Sequence, residues 1–377
     1  MSAVRITALA LGLALLSSAP TRAAEEGFAQ GPYVQHPDTA RITVVWATSI
    51  PSSGAVHVGP VGGALDAIFP TADTDLRHEV VVTGLAPGVT YHYQVILTDG
   101  TNSKPAPFVT AVEPGTPFRW VLYGDTRSAV DNHADVVAAI ASVPGIAFGV
   151  QTGDMVASGE LAEEWDTYFD IEQPLMRSVP IFPVIGNHDE HEGLATELVA
   201  RFVAPENSSK PEHYYSVRHG NAWFTVLDGH ASMLEFDGCL AERDLFVLEC
   251  MTPEQVDWVA QDLAEAAQAP GIDHIFALVH IGPYSSKENR SGSMDARRLL
   301  PLFREMGVTA VLSGHDHYYE RGLSAFGMPY VISGGAGASL YEISEPSTAP
   351  HEVMAGESVH HFVVVDVDGP DVTFTAK

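Results

Sequence analysis

Basic residues are scarce in this chain: 19 Lys and Arg face 48 Asp and Glu over 377 residues, for a formal net charge of −29. A surface of that sign repels nucleic acid and anionic membranes, so neither is an expected partner, and long polyphosphate polymers are poor substrates unless the site is locally positive. Cysteine is nearly absent. Two residues, Cys239 and Cys250, provide neither a disulfide framework nor a thiolate metal site, and without a second Cys or His pair nearby they are expected to form one bond. A bond closing so small a loop is worth about 3 kcal/mol in the chain-entropy account. Long apolar runs are lacking too. The exception, Ile6 to Leu16, is too short to span a bilayer. It follows Arg5 and precedes the small residues of Thr21-Arg22-Ala23-Ala24, which is the pattern of a secretory leader. Residues 1–24 are therefore read as a signal peptide outside the fold, and the mature chain as secreted or periplasmic. There is no internal repeat and no low-complexity tract. The Gly-rich Ser333-Gly334-Gly335-Ala336-Gly337-Ala338 lacks the Lys-Ser/Thr ending of a nucleotide-binding loop and reads as a loop flanking a crevice.

What is present divides into two regions. From about Phe28 to Val112, short alternating runs such as Arg41-Ile42-Thr43-Val44-Val45-Trp46 and Glu79-Val80-Val81-Val82 are separated by Pro and Gly, which predicts a small β-sandwich over residues 25–113. Trp46 is expected in its core, and His57, His78 and His92 on strand surfaces. Past a linker around Glu113 to Pro117, apolar runs at 120–123, 146–150, 181–185, 222–227, 275–279 and 308–312 alternate with helical segments near 131–142, 160–176, 192–203, 253–268 and 294–306. This is the pattern of a layered α/β domain over residues 117–377. In such folds ligands gather at the carboxyl ends of strands.

Five of those ends carry metal-binding residue types: Gly124-Asp125-Thr126-Arg127, Gly153-Asp154, Gly186-Asn187-His188-Asp189, Val279-His280 and Gly314-His315-Asp316-His317. Helix capping accounts for Asp125 or Asp154 taken alone. It does not account for His315 and His317. Two cations about 4 Å apart need a carboxylate that gives one oxygen to each, and Asp154 is the candidate bridge. His315 and His317, two apart in an extended segment, would reach over different ions. Asn187 and His280 add neutral donors, leaving net positive charge to draw a phosphate oxyanion. The chemistry expected is in-line hydrolysis of a phosphate ester by an activated water. His188 either protonates the leaving oxygen, oriented by Asp189, or packs in a turn.

The order of these motifs resembles the calcineurin-like metallophosphoesterases, and Gly314-His315-Asp316-His317-Tyr318-Tyr319-Glu320-Arg321 is similar to the purple acid phosphatase branch, which carries a fibronectin type III-like domain ahead of its catalytic domain. Within the first region, Leu85 to Val95 resembles the turn into a late fibronectin strand, with Tyr91 as the corner anchor. The family resemblance implies a four-layer α/β (α+β) sandwich rather than one doubly wound sheet. It implies a first metal on Asp125, Asp154 and His317, and a second on Asp154, Asn187, His280 and His315, the ions being Fe, Mn or Zn.

Two positions depart from the pattern. The tyrosine ligand of the purple branch, three residues after the bridging Asp, is here Ala157, and the histidine that other branches place two residues after the first Asp is Arg127. His133 either folds back to complete the first site or lies exposed at a helix start. Arg127 either contacts substrate phosphate or lies on the surface. The competing function is an exported binding or adhesion protein whose metal site is impaired. Oligomeric state is not legible.

Overall fold

A computed structural model describes residues 4–8, 27–191, 194–230, 251–344 and 350–377. The first region is all β. Strands β2 (Gln30–Gln35), β3 (Arg41–Ser52) and β6 (Asp75–Thr83) form one antiparallel sheet, and β5 (Ala67–Pro70), β4 (Gly54–Pro60), β7 (Thr90–Leu97) and β8 (Ala106–Val109) form the facing one. Period-two patterning decides which face turns inward: Val80 and Val82 are buried while Val81 between them is exposed. Trp46, Val56, Tyr93 and Phe108 fill the interior. The Tyr91 hydroxyl accepts the Ala86 amide hydrogen at 3.0 Å, so the expected corner is present. His78 is not a surface residue. Its ring packs 5.1 Å from that of Trp46, and Nε2 lies 3.0 Å from the Ser52 carbonyl, because the neighbouring strand gives the imidazole both an apolar face and a polar partner.

The second region contains two larger sheets. One runs in the order β1 (Val4–Ala8), β20 (Asp371–Ala376), β19 (Val363–Asp368), β9 (Phe118–Tyr123), β10 (Ile146–Gln151), β11 (Ile181–Pro183). The other runs β12 (Tyr215–His219), β13 (Ala222–Val226), β14 (His274–Leu278), β15 (Ala310–Ser313), β17 (Pro329–Ser333), β16 (Tyr319–Ser324), β18 (His351–Glu357). Trp120, Phe148, Phe224, Phe276 and Phe374 pack between the sheets, with Trp120 stacked on Phe148 at 5.7 Å and edge-on to Phe224 at 5.2 Å. Truncating such a residue costs about 3–5 kcal/mol.

Helices α1 (Val130–Ala141) and α2 (Ala162–Met176) cover the outer face of the first sheet, and a short α3 (Thr196–Val199) joins the same cluster through Leu198. Helices α4 (Pro253–Gln268) and α5 (Met294–Glu305) cover the second sheet through Val259, Leu263, Leu299 and Phe303. The result is four layers. Strand–helix alternation does not distinguish this from a single wound sheet, because either arrangement buries a strand such as β10 on both faces.

The two regions are joined through α2. Tyr33 packs its ring 5.2 Å from that of Phe169 and donates its hydroxyl to Arg201 O at 2.6 Å, while Gln173 Nε2 donates to Pro32 O at 3.1 Å. Of the segment read as a leader, Val4–Ala8 pairs in parallel with β20. In the uncleaved chain those residues thus belong to the sheet rather than outside the fold, since a short β-capable run satisfies an otherwise open edge. Cys239 and Cys250 lie outside the described residues. Among the described residues no helix is long and apolar enough to cross a membrane.

Candidate metal centre

Parallel pairing of β9, β10 and β11 in one sheet, and of β14 and β15 in the other, points five carboxyl ends the same way. The strands end at Tyr123, Gln151, Pro183, Leu278 and Ser313, and the five motifs begin within four residues of those ends. Face-to-face packing of the sheets then closes the motifs around one crevice. The sharp turns after the strands are made largely by the candidate donors themselves: Asp125, Asp154 and His315 have φ of 59°, 55° and 68°. A left-handed backbone at a non-glycine residue is costly and persists where the surroundings enforce it. The glycine at 186 serves close approach instead, because a Cβ there would lie 2.1 Å from Asp154 N.

At the second site four donor atoms crowd together. His280 Nε2 lies 3.2 Å from each of Asp154 Oδ1, Asn187 Oδ1 and His315 Nδ1. The His280 Nδ1–H donates to Thr152 O at 2.7 Å, which fixes the ring and leaves Nε2 for a cation. At the first site His317 uses the same device. Its Nδ1–H donates to Ser339 O at 2.7 Å, and Nε2 lies 3.4 Å from Asp125 Oδ1. Both facing atoms are buried and have no hydrogen-bond partner. Unsatisfied acceptors of this kind are costly in a folded chain and fit a bound cation. Donor atoms of Asp154, His280 and His315 lie within 4.8 Å of one another, as do those of Asp125, Asp154 and His317, so Asp154 is common to both groups.

The electrostatics agree. Burial opposes ionisation of Asp154, but the imidazoles of His280, His188 and His315 outweigh it and hold the carboxyl well below the ordinary range. Burial likewise opposes charge on His280, and the carboxylates of Asp154 and Asp125 nevertheless lift it to about 9. The carboxylates thus favour positive charge at the centre of the cluster.

Three sequence expectations change. The His315–His317 segment is not extended: with Asp316 N bonded to Gly314 O at 2.8 Å and Tyr318 N to Asp316 O at 2.7 Å it is a tight bend, and that bend sends the two rings to different groups. Asp189 does not orient His188. Its buried carboxylate accepts the amides of Asp154 (2.8 Å), Gly186 (2.9 Å), Met155 (2.7 Å) and Val156 (3.3 Å), clamping the bridging loop, while burial and the Asp154 carboxylate push its own carboxyl up to about 7. His188 is oriented by Ala157, whose carbonyl accepts its Nδ1–H at 2.8 Å, and its amide donates to Asp154 Oδ1 at 3.0 Å. His133, the candidate for the missing ligand, is drawn away from the cluster. It is buried between α1 and α2 with Nε2 2.9 Å from Glu172 Oε1, because that carboxylate, also bonded to the Tyr123 hydroxyl, offers the nearer partner. Arg127 stays at the crevice, its Nε 3.1 Å from Asp154 Oδ2.

Tyr341 and Arg290 escaped the sequence reading because nothing in their spacing marks them. Tyr341 lies parallel to His317 at 4.0 Å, and Arg290 donates to Asp316 at 2.7 Å. The Gly-rich loop is tied to the Asp125 turn by Ala336 N to Gly124 O (3.0 Å) and Ala338 N to Asp125 O (2.8 Å). His230 is buried with its ring 5.8 Å from that of His280. Tyr284, His219 and His361 are buried in the interior, whereas His191 is exposed.

Two packed sheets with helices outside thus carry, at their strand ends, two candidate ligand groups that share one aspartate. The calcineurin-like phosphoesterase family model matches residues 118–319, and the chain belongs to that family. It is 25% identical over 309 residues to an uncharacterised protein of Mycobacterium tuberculosis, covering 74% of this chain and 56% of that one. Purple acid phosphatase 18 of Arabidopsis thaliana is 24% identical over 255 residues, covering 65% and 52%, and human tartrate-resistant acid phosphatase type 5 is 27% identical over 215 residues, covering 53% and 64%. The chain thus spans about half the length of the first curated relatives it matches. In fold it is similar to a purple acid phosphatase from yellow lupin seeds (TM-score 0.71, 19% identity, 92% of this chain and 74% of that one) and to PhoD (TM-score 0.69, 12% identity, 95% and 86%).

Proposed function

We propose that the chain is an exported phosphoesterase that cleaves phosphate esters with two metal ions, one held by Asp125, Asp154 and His317 and the other by Asp154, Asn187, His280 and His315. The observation that carries this reading is the sharing of Asp154 between both donor groups, the first of which also holds two buried atoms, Asp125 Oδ1 and His317 Nε2, without a hydrogen-bond partner. Fe, Mn and Zn all suit such His, Asp and Asn donors. When bound, a metal pair supplies Lewis acidity that activates water near neutral pH and offsets phosphate charge. The remaining work falls to the side chains. Asp189 holds the bridging loop by its amides, and backbone carbonyls fix the two imidazoles. Arg127 can release Asp154 and turn its guanidinium to a phosphate oxygen. His188, half-buried with Nδ1–H tied to Ala157, presents Nε2 as the acid for the leaving oxygen.

In the same reading residues 1–24 are a cleaved leader, 25–113 a fibronectin-like module and 117–377 the catalytic domain. Cys239 and Cys250 pair in the oxidising compartment that export provides.

The test is turnover of p-nitrophenyl phosphate and of bis-p-nitrophenyl phosphate by the chain loaded with Mn, Zn or Fe, with metal content measured in parallel. Turnover of either is expected, and His188→Ala should slow it about 100-fold or more by removing the proton donor. Absence of turnover with two metals bound would favour the binding or adhesion reading, for which the engagement of His133 by Glu172 and the alanine at position 157 speak.

A further inference from the structure

Beside the first ligand group the chain gathers cations it otherwise rations. Lys287, one of four lysines in the whole sequence, sets its ammonium 3.3 Å from the centre of the Tyr341 ring, and the guanidinium of Arg290 lies 5.3 Å from the same centre. The other face of Tyr341 is covered by His317 at 4.0 Å in near-parallel stacking, so no room is left there for Lys287. Lysine, tyrosine and ligand histidine therefore form a three-tier stack that runs outward from the crevice. Arg127 stands across from it on Asp154.

The three cations are close enough to act on one another. Burial, Arg290 and Arg127 press the Lys287 ammonium below its ordinary value, with Asp316 as the opposing carboxylate. Asp316 is taken up by Arg290 at 2.7 Å. Lys287 and Arg290 are both half-buried rather than spread into solvent, and Lys287 has no carboxylate partner among the described salt bridges. Crowding like charges is unfavourable unless an anion occupies the space between them. In a chain with this net charge, chance placement of three cations at the mouth of the centre is a poor explanation.

We propose that this rim binds a second anionic group of the substrate, so that the esters preferred are those in which the phosphoryl group cleaved is joined to another phosphoryl group, with Lys287 and Arg290 on the distal one. The Tyr341 ring is covered on both faces and so serves as a spacer rather than as a platform for an aromatic base. The proposal rests on the phosphoesterase reading for the position of the proximal phosphoryl group.

It is tested with the full chain loaded with metal, titrated calorimetrically with methylenediphosphonate and with inorganic phosphate, metal retention being checked after each titration. Methylenediphosphonate should bind at least tenfold more tightly than phosphate. Lys287→Ala should remove about tenfold of that preference while leaving phosphate affinity within twofold, and Lys287→Arg should restore it. An unchanged ratio in Lys287→Ala, or no preference in the wild-type chain, overturns the proposal. The readout is binding, so it stands apart from catalysis: a chain that prefers the diphosphonate yet turns over no ester refutes the phosphoesterase reading alone. A chain that cleaves p-nitrophenyl phosphate without the preference refutes the rim alone.

Discussion

Buried histidines stand at both ends of the parallel strands, and they behave in opposite ways. At the carboxyl ends His280 is fully buried and is lifted to about 9, whereas at the amino ends His219, on the last residue of β12 and paired with Ala222 at the start of β13, is buried and pushed down to about 3. Burial alone disfavours charge on either ring. What differs is company. His280 has Asp154 and Asp125 beside it, while His219 lies between the rings of Phe118 and Phe148 at 4.6 and 4.9 Å, with Nε2 unpartnered. One sheet assembly thus has a charged end and an apolar end, and the aspartates, not the histidines, set the difference.

Removing the shared aspartate is the strongest way to break that contrast. In Asp154→Asn both donor groups lose a carboxylate, and His280 loses the chief negative charge that favours its protonated form. The expected outcome is a fall of at least about 100-fold in affinity at both metals, since losing even an outer partner of a ligand costs 10–100-fold. The His280 ring in the metal-free protein, followed by NMR, should then titrate below rather than above the ordinary histidine value. Retention of two metals by this variant would refute the bridging assignment.

Next in size is Asp189→Asn. Whichever way the amide is turned, its nitrogen faces either the N–H groups of Asp154 and Gly186 or those of Met155 and Val156, and the loss is about 3 kcal/mol or more, because hydrogen bonds to a charged group are worth about 1.5–3 kcal/mol each. Urea unfolding should register it together with weaker metal binding. If Asp189 acted through His188 instead, the alkaline limb of the pH–rate profile, where the proton donor is lost, would move while stability held.

The candidate donor cluster was legible in the sequence wherever such a residue follows a strand directly. Asp125, Asp154, Asn187, His280, His315 and His317 all lie at such ends, and the donor type together with the interval along the chain singles them out. The two central sheets of the sandwich were not legible as separate, because hydrophobic alternation records that β10 and β14 are buried on both sides without recording by what. His133 was misplaced for a related reason. Its position near a helix start gave no sign that Glu172, thirty-nine residues away and on another helix, would take up its ring. Lys287 and Tyr341 are brought to the rim by contacts that no local pattern encodes.

A smaller change sharpens the charged end. Replacing the guanidinium by an imidazole in Arg127→His puts a neutral donor two residues after Asp125, next to the bridging oxygen it now contacts. Affinity at the weaker of the two metals should rise about tenfold, with the other unchanged, as read from competitive chelator titration. No gain at either site would mean that the position faces substrate rather than metal.

The effect expected at the apolar end depends on pH. His219 and His361 have folded-state values of about 3 and about 4, below the ordinary 6.5, chiefly through burial. The unfolded chain therefore takes up protons that the folded chain refuses, and stability falls as pH drops through 6.5 towards those lower values. At pH 5 each ring costs about 2 kcal/mol relative to neutral pH, from about 1.4 kcal/mol per pH unit. His219→Phe fills the same aromatic gap without a titrating group, so its loss of stability between pH 7 and pH 5 in urea unfolding should be smaller than wild type by about 2 kcal/mol. Parallel losses in the two proteins would mean that water or a charge reaches His219, and the amino end would then not be the apolar counterpart of the metal centre.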